Sequence, residues 1–507
     1  MCNLVLIGLS LGPIYDNLKA CAKLKEMWAA SYHCSMMMSK LYDKLSDKLS
    51  EKATVIIPVK KMTMAEYGLY HDRLVFHCAA EKVNELEEIW KKQWDQEAED
   101  FVGALSGLKD KVAALDQFKA FFYLKSAQIV CSKDDIDSNE ACYKLLTQLD
   151  HLLDVEELNL DNQFMLKAWS NGGERCERCA QLPGLESQPV GDKYMWLCAI
   201  CLHKLKLLES NNRTDIAHEL LGFRSLSHIA AGKTWKEDEK EDEEIKNLKH
   251  QRERYAVFIQ ADGDHLGKAV RKNRQAAGEA LYKFCSQIGN TIKNSIGGAT
   301  IFAGGDDLLA VMPLVKIELS QVTTFMDVIL KLSSDFKTHM QSKGLNDPTL
   351  SVGAHIFYFK HPMSLAREEV GRLLFVEAKS RRNAVSLNFL KHSGARRSGT
   401  LGLEFEGEAE QYAKLLKILA VYPFPRSWPY KVREHANTFE LFSANEERVV
   451  NLLNHITRTA DQKNTKAITA LNEFFVYQFV FRRRSMDEIL SFAGLGRFLA
   501  TEVTQDA

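Results

Sequence analysis

The stretch "ATIFAGGDDLLAVMP" at residues 299–313 constrains the fold more than any other. Two apolar runs of strand length are separated only by Gly304, Gly305, Asp306 and Asp307, so little except a tight β-hairpin fits between them. Two adjacent carboxylates at the tip of such a hairpin repel each other. They become favourable once a divalent cation lies between them, because the cation replaces repulsion with attraction.

A second acidic motif precedes this hairpin by about forty residues. "YAVFIQADGDHLGKAV" places Asp262 and Asp264 at the end of an apolar strand. In a ferredoxin-like sheet the first strand lies beside the central hairpin, so Asp262, Asp264, Asp306 and Asp307 can converge on a divalent cation such as Mg²⁺ or Mn²⁺, with Asp262, Asp306 and Asp307 favoured. Glycines next to the acids let the backbone turn tightly and approach a ligand. A solvated turn is the alternative for the hairpin, and a cap for the helix beginning at His265 is the alternative for Asp264.

Hydrophobic periodicity divides the 507 residues into four segments and predicts an α+β multidomain protein. Residues 1–125 mix short strands with helices, and residues 251–400 interleave strands and helices in a pattern that suggests a ferredoxin-like sheet. Residues 126–250 are mostly helical, contain a cysteine cluster and close with a charge-dense run that favours a solvated helix or linker. Residues 401–507 have helical periodicity almost throughout and predict a small helical bundle.

Four of the eleven cysteines form a spaced cluster with two C-x2-C pairs, namely Cys176, Cys179, Cys198 and Cys201. Each pair offers two thiolates from one turn, and two pairs complete a tetrahedral Zn²⁺ site, with disulfide pairing as the alternative. Because cysteine fills all four positions, the predicted zinc is structural. Scattered single cysteines beside the cluster indicate a reducing compartment, so a cytoplasmic location is predicted.

The bulk composition excludes some classes of protein and leaves others to local features. With a formal net charge of −1, the sequence has no overall positive charge that would attract nucleic acid. It also contains no run of about 18 apolar residues, the length that a membrane span requires. His71-Asp72 is interpreted as a turn before a strand. Phosphate or RNA contacts and a solvated face are equally compatible with a first basic group, Lys379, Arg381, Arg382, Lys391, Arg396 and Arg397. A solvated surface is favoured for a second basic group, Arg482, Arg483 and Arg484.

Four stretches together resemble the large subunit of type III CRISPR RNA-guided effector complexes, in its type III-B (Cmr) form. They are "IGLSLGPIYDNLKACAKLKEMWAASY", "CERC…CAIC", "ADGDHLGKAV" with "AGGDDLLAVMP", and "SVGAHIFYFKHPMSLAREEVGRLLFVEAKSRRNAVSLNFLKHSG". The resemblance implies two palm domains, a zinc-bearing helical domain between them and a C-terminal helical domain that docks on other subunits. The other Cmr subunits, a guide RNA and a target RNA are the implied partners.

The resemblance also implies an activity. Binding of target RNA would switch on polymerisation of ATP into cyclic oligoadenylates at the second palm, with the first palm holding the acceptor. Asp262, Asp306 and Asp307 would hold Mg²⁺. The expected nucleotide contacts are Gly263, Asp264, Gly304, Gly305, Lys379 and Ser31.

Several alternatives stay open at this point. The acceptor could be S-adenosylmethionine instead of a second ATP, in a pocket around Trp28, Ser31 and Tyr32. Many relatives carry an N-terminal HD nuclease domain, whereas this sequence begins almost directly at the first palm, so no cleavage of target DNA by this subunit is expected. A stand-alone diguanylate cyclase and a non-catalytic scaffold are the two other hypotheses.

Overall fold

The computed structural model describes most of the chain. The described residues are 4–49, 53–60, 68, 70–105, 107–137, 140–159, 174–190, 193–209, 225–232, 248, 250–319, 321–458 and 465–499. Most of the charge-dense run at 236–254 lies outside them, so its interpretation as a linker stays a prediction.

The first sheet has four antiparallel strands in the order β2-β3-β1-β4. These strands are β1 (Leu4–Gly12), β2 (Ala53–Ile57), β3 (Arg73–Ala79) and β4 (Tyr123–Cys131). Helices Leu24–Leu49 and Val83–Ala104 supply the two crossovers, so this part of the chain is a ferredoxin-like βαββαβ unit. Strand β4 continues past residue 125, the predicted end of the first segment. Partly buried and exposed residues alternate along much of this edge strand, so a search for apolar runs does not detect its full length.

Both faces of this sheet are covered, which explains why β1 is apolar along nearly its whole length. The first crossover helix packs on one face, and helix Glu140–Asn159 packs on the other through Leu145 against Leu6 and Val75. Shorter helices complete this half of the chain: Ile14–Lys19, Lys111–Phe121, Lys133–Asp137 and Leu226–Ala231.

A small hairpin stands between the two cysteine pairs, in a segment for which mainly helix was predicted. Its strands are β5 (Glu186–Val190) and β6 (Lys193–Leu197), and helix Ala199–Glu209 follows them. The module is anchored to the first sheet's helices by a buried ion pair between Arg178 and Glu26.

The second sheet has six strands in the order β14-β13-β12-β7-β9-β8. Its strands are β7 (Tyr255–Asp264), β8 (Ala299–Gly304), β9 (Asp307–Pro313), β12 (Thr349–Tyr358), β13 (Ala384–Leu390) and β14 (Arg396–Gly402). The four strands β12-β7-β9-β8, with helices Arg274–Ile296 and Phe325–Gln341, repeat the ferredoxin-like order of the first sheet. Each helix has an N-cap side chain that accepts a hydrogen bond from a first-turn amide: Asn273 caps the first helix and Thr324 caps the second.

Further elements extend this second unit. A hairpin of β10 (Val315–Glu318) and β11 (Gln321–Thr324) precedes the second helix. A parallel crossover joins β12 to β13 through helix Met363–Arg372, a π-helical turn at Leu373–Ala378 and the short helix Lys379–Arg381. Helix Leu266–Lys272 follows β7.

The remainder of the described chain is helical, as the periodicity predicted. Its helices are Glu408–Val421, Trp428–Glu434, Ala436–Phe442, Glu446–Thr457, Thr465–Val476 and Met486–Leu499, with a π-helical turn at Tyr477–Phe481. They pack on the second unit, where Phe498 contacts Tyr255 and Phe389. The α+β class is therefore confirmed. In the part of the chain that the structure describes, no helix combines the length and apolarity needed to cross a membrane.

Candidate functional site

The predicted hairpin is present, and Gly305 and Asp306 form its turn. Gly304 pairs with Asp307 across the two strands. Gly305 has a φ of +66°, in the left-handed region that favours glycine. A Cβ there would also lie 2.8 Å from Cε1 of the His71 imidazole, which packs against this turn from the first sheet's side. Two independent constraints therefore require glycine at 305.

The end of β7 lies beside this turn. Pairing of Ala261 with Leu308 brings the next residue, Asp262, next to the start of β9. At Gly263 a Cβ would lie 2.9 Å from the Cβ of Asp306, so the missing side chain makes room for that aspartate. Three of the predicted carboxylates thus lie at one end of the second sheet.

The electrostatics of these three carboxylates favour a cation. Burial and the charge of Asp262 raise the pKa of Asp306 to about 6. Burial, together with Asp306 and Asp262, raises the pKa of Asp307 well above its ordinary value. Asp307 is exposed to solvent where it lines a cavity, so water screens part of this rise in its pKa. Burial also raises the pKa of Asp262, although Lys379 opposes the shift. A divalent cation would relieve all three penalties, and carboxylates are ligands that Mg²⁺ accepts.

Lys379 already neutralises part of this charge. Its ammonium donates to the carboxylate of Asp262 and to the carbonyl oxygen of Gly263, 2.7 Å away. Among the described residues, the cysteine cluster is the one group of three or more acidic, histidine or cysteine ligands whose atoms lie within 4.8 Å of one another. The three aspartates are spread more widely. Binding of a shared ion therefore requires rotation of their side chains and release of Asp262 by Lys379.

Asp264 has a different role from its neighbours. Its carboxylate is fully buried and accepts hydrogen bonds from the hydroxyls of Thr349 (2.9 Å) and Ser351 (2.8 Å), and from the amide of Asn383 (2.9 Å). These contacts hold the end of β7 to β12 and give no support to the predicted nucleotide contact. The alternative role of Asp264, as a helix cap, is wrong, because His265 is the N-cap residue of helix Leu266–Lys272 and that helix has no side-chain cap.

A cavity of about 590 Å³ separates the two ferredoxin-like units and opens onto the Asp306 turn. This volume is within the range of small-molecule sites. The first unit contributes His71 and Asp72, and the second contributes Asp306, Asp307 and the glycines of the turn. Aromatic and basic side chains complete the walls, among them Tyr15, Tyr123, Tyr282, Lys60, Arg73, Arg274 and Arg367.

His71 and Asp72 are functional candidates that sequence reasoning missed. They lie just before β3, as the predicted turn requires, but they also face the acidic turn of the other unit. The charge of Asp72 contributes to the raised pKa of Asp307. Burial lowers the pKa of His71, partly offset by Asp72, so this imidazole is neutral at pH 7. The dipeptide alone gives no signal, because only the apposition of the two sheets brings it to the site.

The predicted pocket around Trp28, Ser31 and Tyr32 is closed core. Trp28 and Tyr32 stack at 4.9 Å and belong to a buried apolar cluster, and Ser31 is also buried. The three residues do not line the cavity. The hydroxyl of Ser31 instead lies against Gly68, which bridges to β8, so its predicted nucleotide contact has no support in the geometry.

The four predicted zinc ligands converge. The sulfur atoms of Cys176, Cys179, Cys198 and Cys201 all lie within 4.8 Å of one another. The Sγ atoms of Cys179 and Cys198 are 3.8 Å apart, and a tetrahedral site with Zn–S bonds of about 2.3 Å requires about 3.8 Å. That separation is far longer than a disulfide bond of about 2.0 Å, so the cluster fits a zinc ion and not a pair of disulfides.

The basic residues separate into distinct environments. Arg381 and Arg484 both contact the buried carboxylate of Glu408, at 2.6 and 2.7 Å, so Arg484 is not the solvated residue that was predicted. Arg382 contacts His265 at 3.2 Å. Arg382 and Asn383 have consecutive positive φ values of 59° and 42° directly after the helix of Lys379.

Comparisons with known proteins agree with this architecture. A protein-family comparison matches residues 254–386 to "Cas10/Cmr2, second palm domain". The CRISPR system Cmr subunit Cmr2 of Pyrococcus furiosus is 30% identical over 133 residues, which is 25% of this chain and 14% of that protein. The chain therefore aligns with a small part of this relative.

Solved structures resemble the chain over much more of its length. A chain of the type III-B Cmr-beta complex in its apo state has a TM-score of 0.60 at 10% identity, covering 95% of this chain and 82% of that one. A chain of the same complex bound to cognate target RNA has a TM-score of 0.62 at 11% identity, with coverages of 91% and 79%. A chain of the Csm1–Csm4 cassette in complex with AMPPNP has a TM-score of 0.51 at 14% identity, with coverages of 99% and 70%. These likenesses show a shared fold, and residues 254–386 match the second palm domain of Cas10/Cmr2.

Proposed function

We propose that the protein is the RNA-activated nucleotidyltransferase subunit of a type III CRISPR effector complex, converting ATP to cyclic oligoadenylates. One observation carries the proposal. Asp306 and Asp307 line a cavity shared with a second ferredoxin-like unit, Asp262 lies beside them on the neighbouring strand, and all three carboxylates have a raised pKa. Such a cavity has room for a donor on one side and an acceptor on the other.

The residues of this chain bind and position the substrates. Magnesium, when bound, neutralises the triphosphate and activates the attacking hydroxyl. Asp262, Asp306 and Asp307 would hold the ion, and Gly263 and Gly305 leave the approach of the triphosphate free of side chains. Lys379, which contacts Asp262, lies where its ammonium would bind the phosphates. A hydroxyl of the acceptor then attacks the α-phosphorus, and pyrophosphate leaves; positioning and charge neutralisation supply most of such catalysis.

The fold likenesses support the substrate and the partners. One similar structure is a complex with AMPPNP, an analogue of ATP, and another is an effector complex bound to target RNA. By analogy, this chain works with the other Cmr subunits, a guide RNA and a target RNA. Zinc in the cysteine cluster holds the module between the cysteine pairs together and takes no part in the chemistry.

Reconstitution of the complex with guide and matching target RNA tests the proposal. Labelled ATP is supplied with Mg²⁺ or Mn²⁺, with and without S-adenosylmethionine, and the products are separated by chromatography. Cyclic oligoadenylates from ATP alone support the proposal. Product that forms only with S-adenosylmethionine identifies that molecule as the acceptor, and no product from either mixture favours the scaffold.

A double substitution tests the catalytic assignment. Asp306→Ala/Asp307→Ala is expected to abolish synthesis while the complex still assembles with its RNA. Asp347→Ala/Glu447→Ala removes the same charge at exposed positions away from the cavity and serves as the matched control. Synthesis by the first variant at the control's rate would show that the site lies elsewhere.

A further inference from the structure

A second cavity, of about 660 Å³, lies in the second palm, and its lining includes the three cationic side chains of Lys360, Lys391 and Arg396. Five of its nine lining residues are basic or histidine, and no acidic residue belongs to the lining. The nine residues are Tyr358, Lys360, His361, Pro362, Leu390, Lys391, His392, Gly394 and Arg396. We call this set the basic pocket.

The basic pocket is remote from the catalytic aspartates. Strand β12 pairs with β7 along its whole length, with Thr349 opposite Asp264 and Tyr358 opposite Tyr255. Nine residue steps of about 3.3 Å separate these two pairs, so the pocket and the acidic turn lie about 30 Å apart, at opposite ends of the strands. A ligand of the basic pocket therefore does not occupy the proposed catalytic site.

The position of the pocket in the fold suits an anion. Strands β12 and β13 run parallel, and the pocket lies where both end. Ligands of such sheets bind at the carboxyl ends of the strands, where the next helix begins. Here Pro362, which lines the pocket, precedes the ten-residue helix Met363–Arg372, and this helix starts without a side-chain cap.

The charges in the pocket are concentrated and lie close to one another. Burial lowers the pKa of His361, and the nearby positive charge of Arg396 lowers it further. Lys360, His392 and Arg396 are exposed to solvent, so a partner reaches all three without a rearrangement of the core. Cations that converge on a solvent-filled cavity suit phosphate groups.

Aromatic rings form one wall. The rings of Tyr358 and His392 contact each other at 4.7 Å, edge to face, and Tyr358 also packs against Phe359 at 4.7 Å. The ring of His392 is exposed and that of Tyr358 is partly exposed. Accessible rings beside cations are the combination that binds single-stranded nucleic acid, because bases stack on the rings while phosphates bind the charges. A free inorganic anion would not use this wall.

We propose that the basic pocket binds single-stranded RNA, with phosphates at Lys360 and Arg396 and a base against Tyr358 and His392. The role of RNA rests on the proposed function, but the pocket is separate from the catalytic aspartates. RNA binding and nucleotide synthesis are therefore measured independently, and failure of one does not imply failure of the other.

The test measures RNA binding by the full chain. Fluorescence anisotropy follows a labelled 12-residue oligouridylate, chosen because uridylate does not mimic ATP in the catalytic cavity, at 50 to 300 mM salt. Lys360→Ala/Arg396→Ala is expected to weaken binding about tenfold. It should also make the slope of log K against log salt shallower by about 1.4, since each lost single-strand phosphate contact removes about 0.7.

Lys283→Ala/Lys337→Ala removes the same charge from exposed positions on the helices of the palm and should leave both quantities unchanged. RNA containing 4-thiouridine should cross-link to peptides that contain Tyr358 or His392. Wild-type affinity and slope in the pocket variant would overturn the proposal. Displacement of the labelled RNA by UMP as effective as displacement by unlabelled RNA would also overturn it, in favour of a mononucleotide site.

Discussion

Replacing Asp306 with asparagine should stabilise the protein, although the proposed function assigns this carboxylate to catalysis. Asp306 has a pKa of about 6 against an ordinary value of 3.8, because it is buried beside Asp262. A raised pKa means that the folded state disfavours the charged form. The penalty is present in full above pH 6 and absent below about pH 4, where folded and unfolded states both carry the proton.

The magnitude follows from the shift in pKa. A difference of about two pH units corresponds to about 3 kcal/mol at pH 8 and about 1.5 kcal/mol at pH 5. Water in the cavity screens part of the penalty, so the measurable gain for Asp306→Asn is about 2 kcal/mol at pH 8 and about 1 kcal/mol at pH 5. Asparagine has the same shape and adds no cavity, so the charge alone accounts for the gain.

Urea denaturation of the wild type, Asp306→Asn and the exposed control Asp347→Asn at both pH values measures the effect. Magnesium at millimolar concentration should stabilise the wild type more than Asp306→Asn, and so narrow the gap, because the ion binds the folded state through this carboxylate. A variant less stable than the wild type at pH 8 would refute the reasoning. So would a gain that is equal at the two pH values.

Three further predictions concern other contacts. Lys379→Met should lower the affinity for ATP and raise the affinity for Mn²⁺ measured without nucleotide, because Asp262 loses the ammonium that competes with the metal. Isothermal titration calorimetry measures both affinities, and equal Mn²⁺ affinity in the wild type and the variant would contradict this prediction. Glu408→Ala should destabilise the protein by about 3 kcal/mol, since it leaves Arg484 without its buried partner, whereas Glu408→Gln should cost less; equal melting temperatures of the two variants would argue against the ion pair. Cys198→Ser should reduce bound zinc, measured by mass spectrometry, from one ion per chain to none and lower the melting temperature; full zinc retention would disprove the assignment.

Local patterns in the sequence predicted the parts of the site that lie within one or two adjacent strands. The glycine-rich turn and the strand that carries Asp262 follow from short apolar runs, and their convergence follows from the strand order of one common fold. The two C-x2-C pairs predict a metal site from local sequence as well, because both cysteines of a pair come from one turn.

Contacts between distant parts of the chain left no such signal. The apposition of His71 and Asp72 with the turn at Gly305 depends on how one sheet faces the other, which no local periodicity encodes. The same holds for Arg484, whose partner Glu408 lies 76 residues earlier. The predicted nucleotide contact of Ser31 has no support for a related reason. Helical periodicity shows that one side of a helix is buried, but it does not show whether that side faces the core or a cavity.

The short segment after the π-helical turn ties two distant regions together. Within five residues, Lys379 contacts Asp262, Arg381 contacts the carboxylate of Glu408 that also binds Arg484, and the backbone amide of Asn383 donates to Asp264 at the end of β7. Two successive residues, Arg382 and Asn383, have positive φ values, a backbone conformation that costs about 1–3 kcal/mol for each residue. The segment therefore joins the C-terminal helices, through Glu408, to the lysine that contacts a proposed metal ligand.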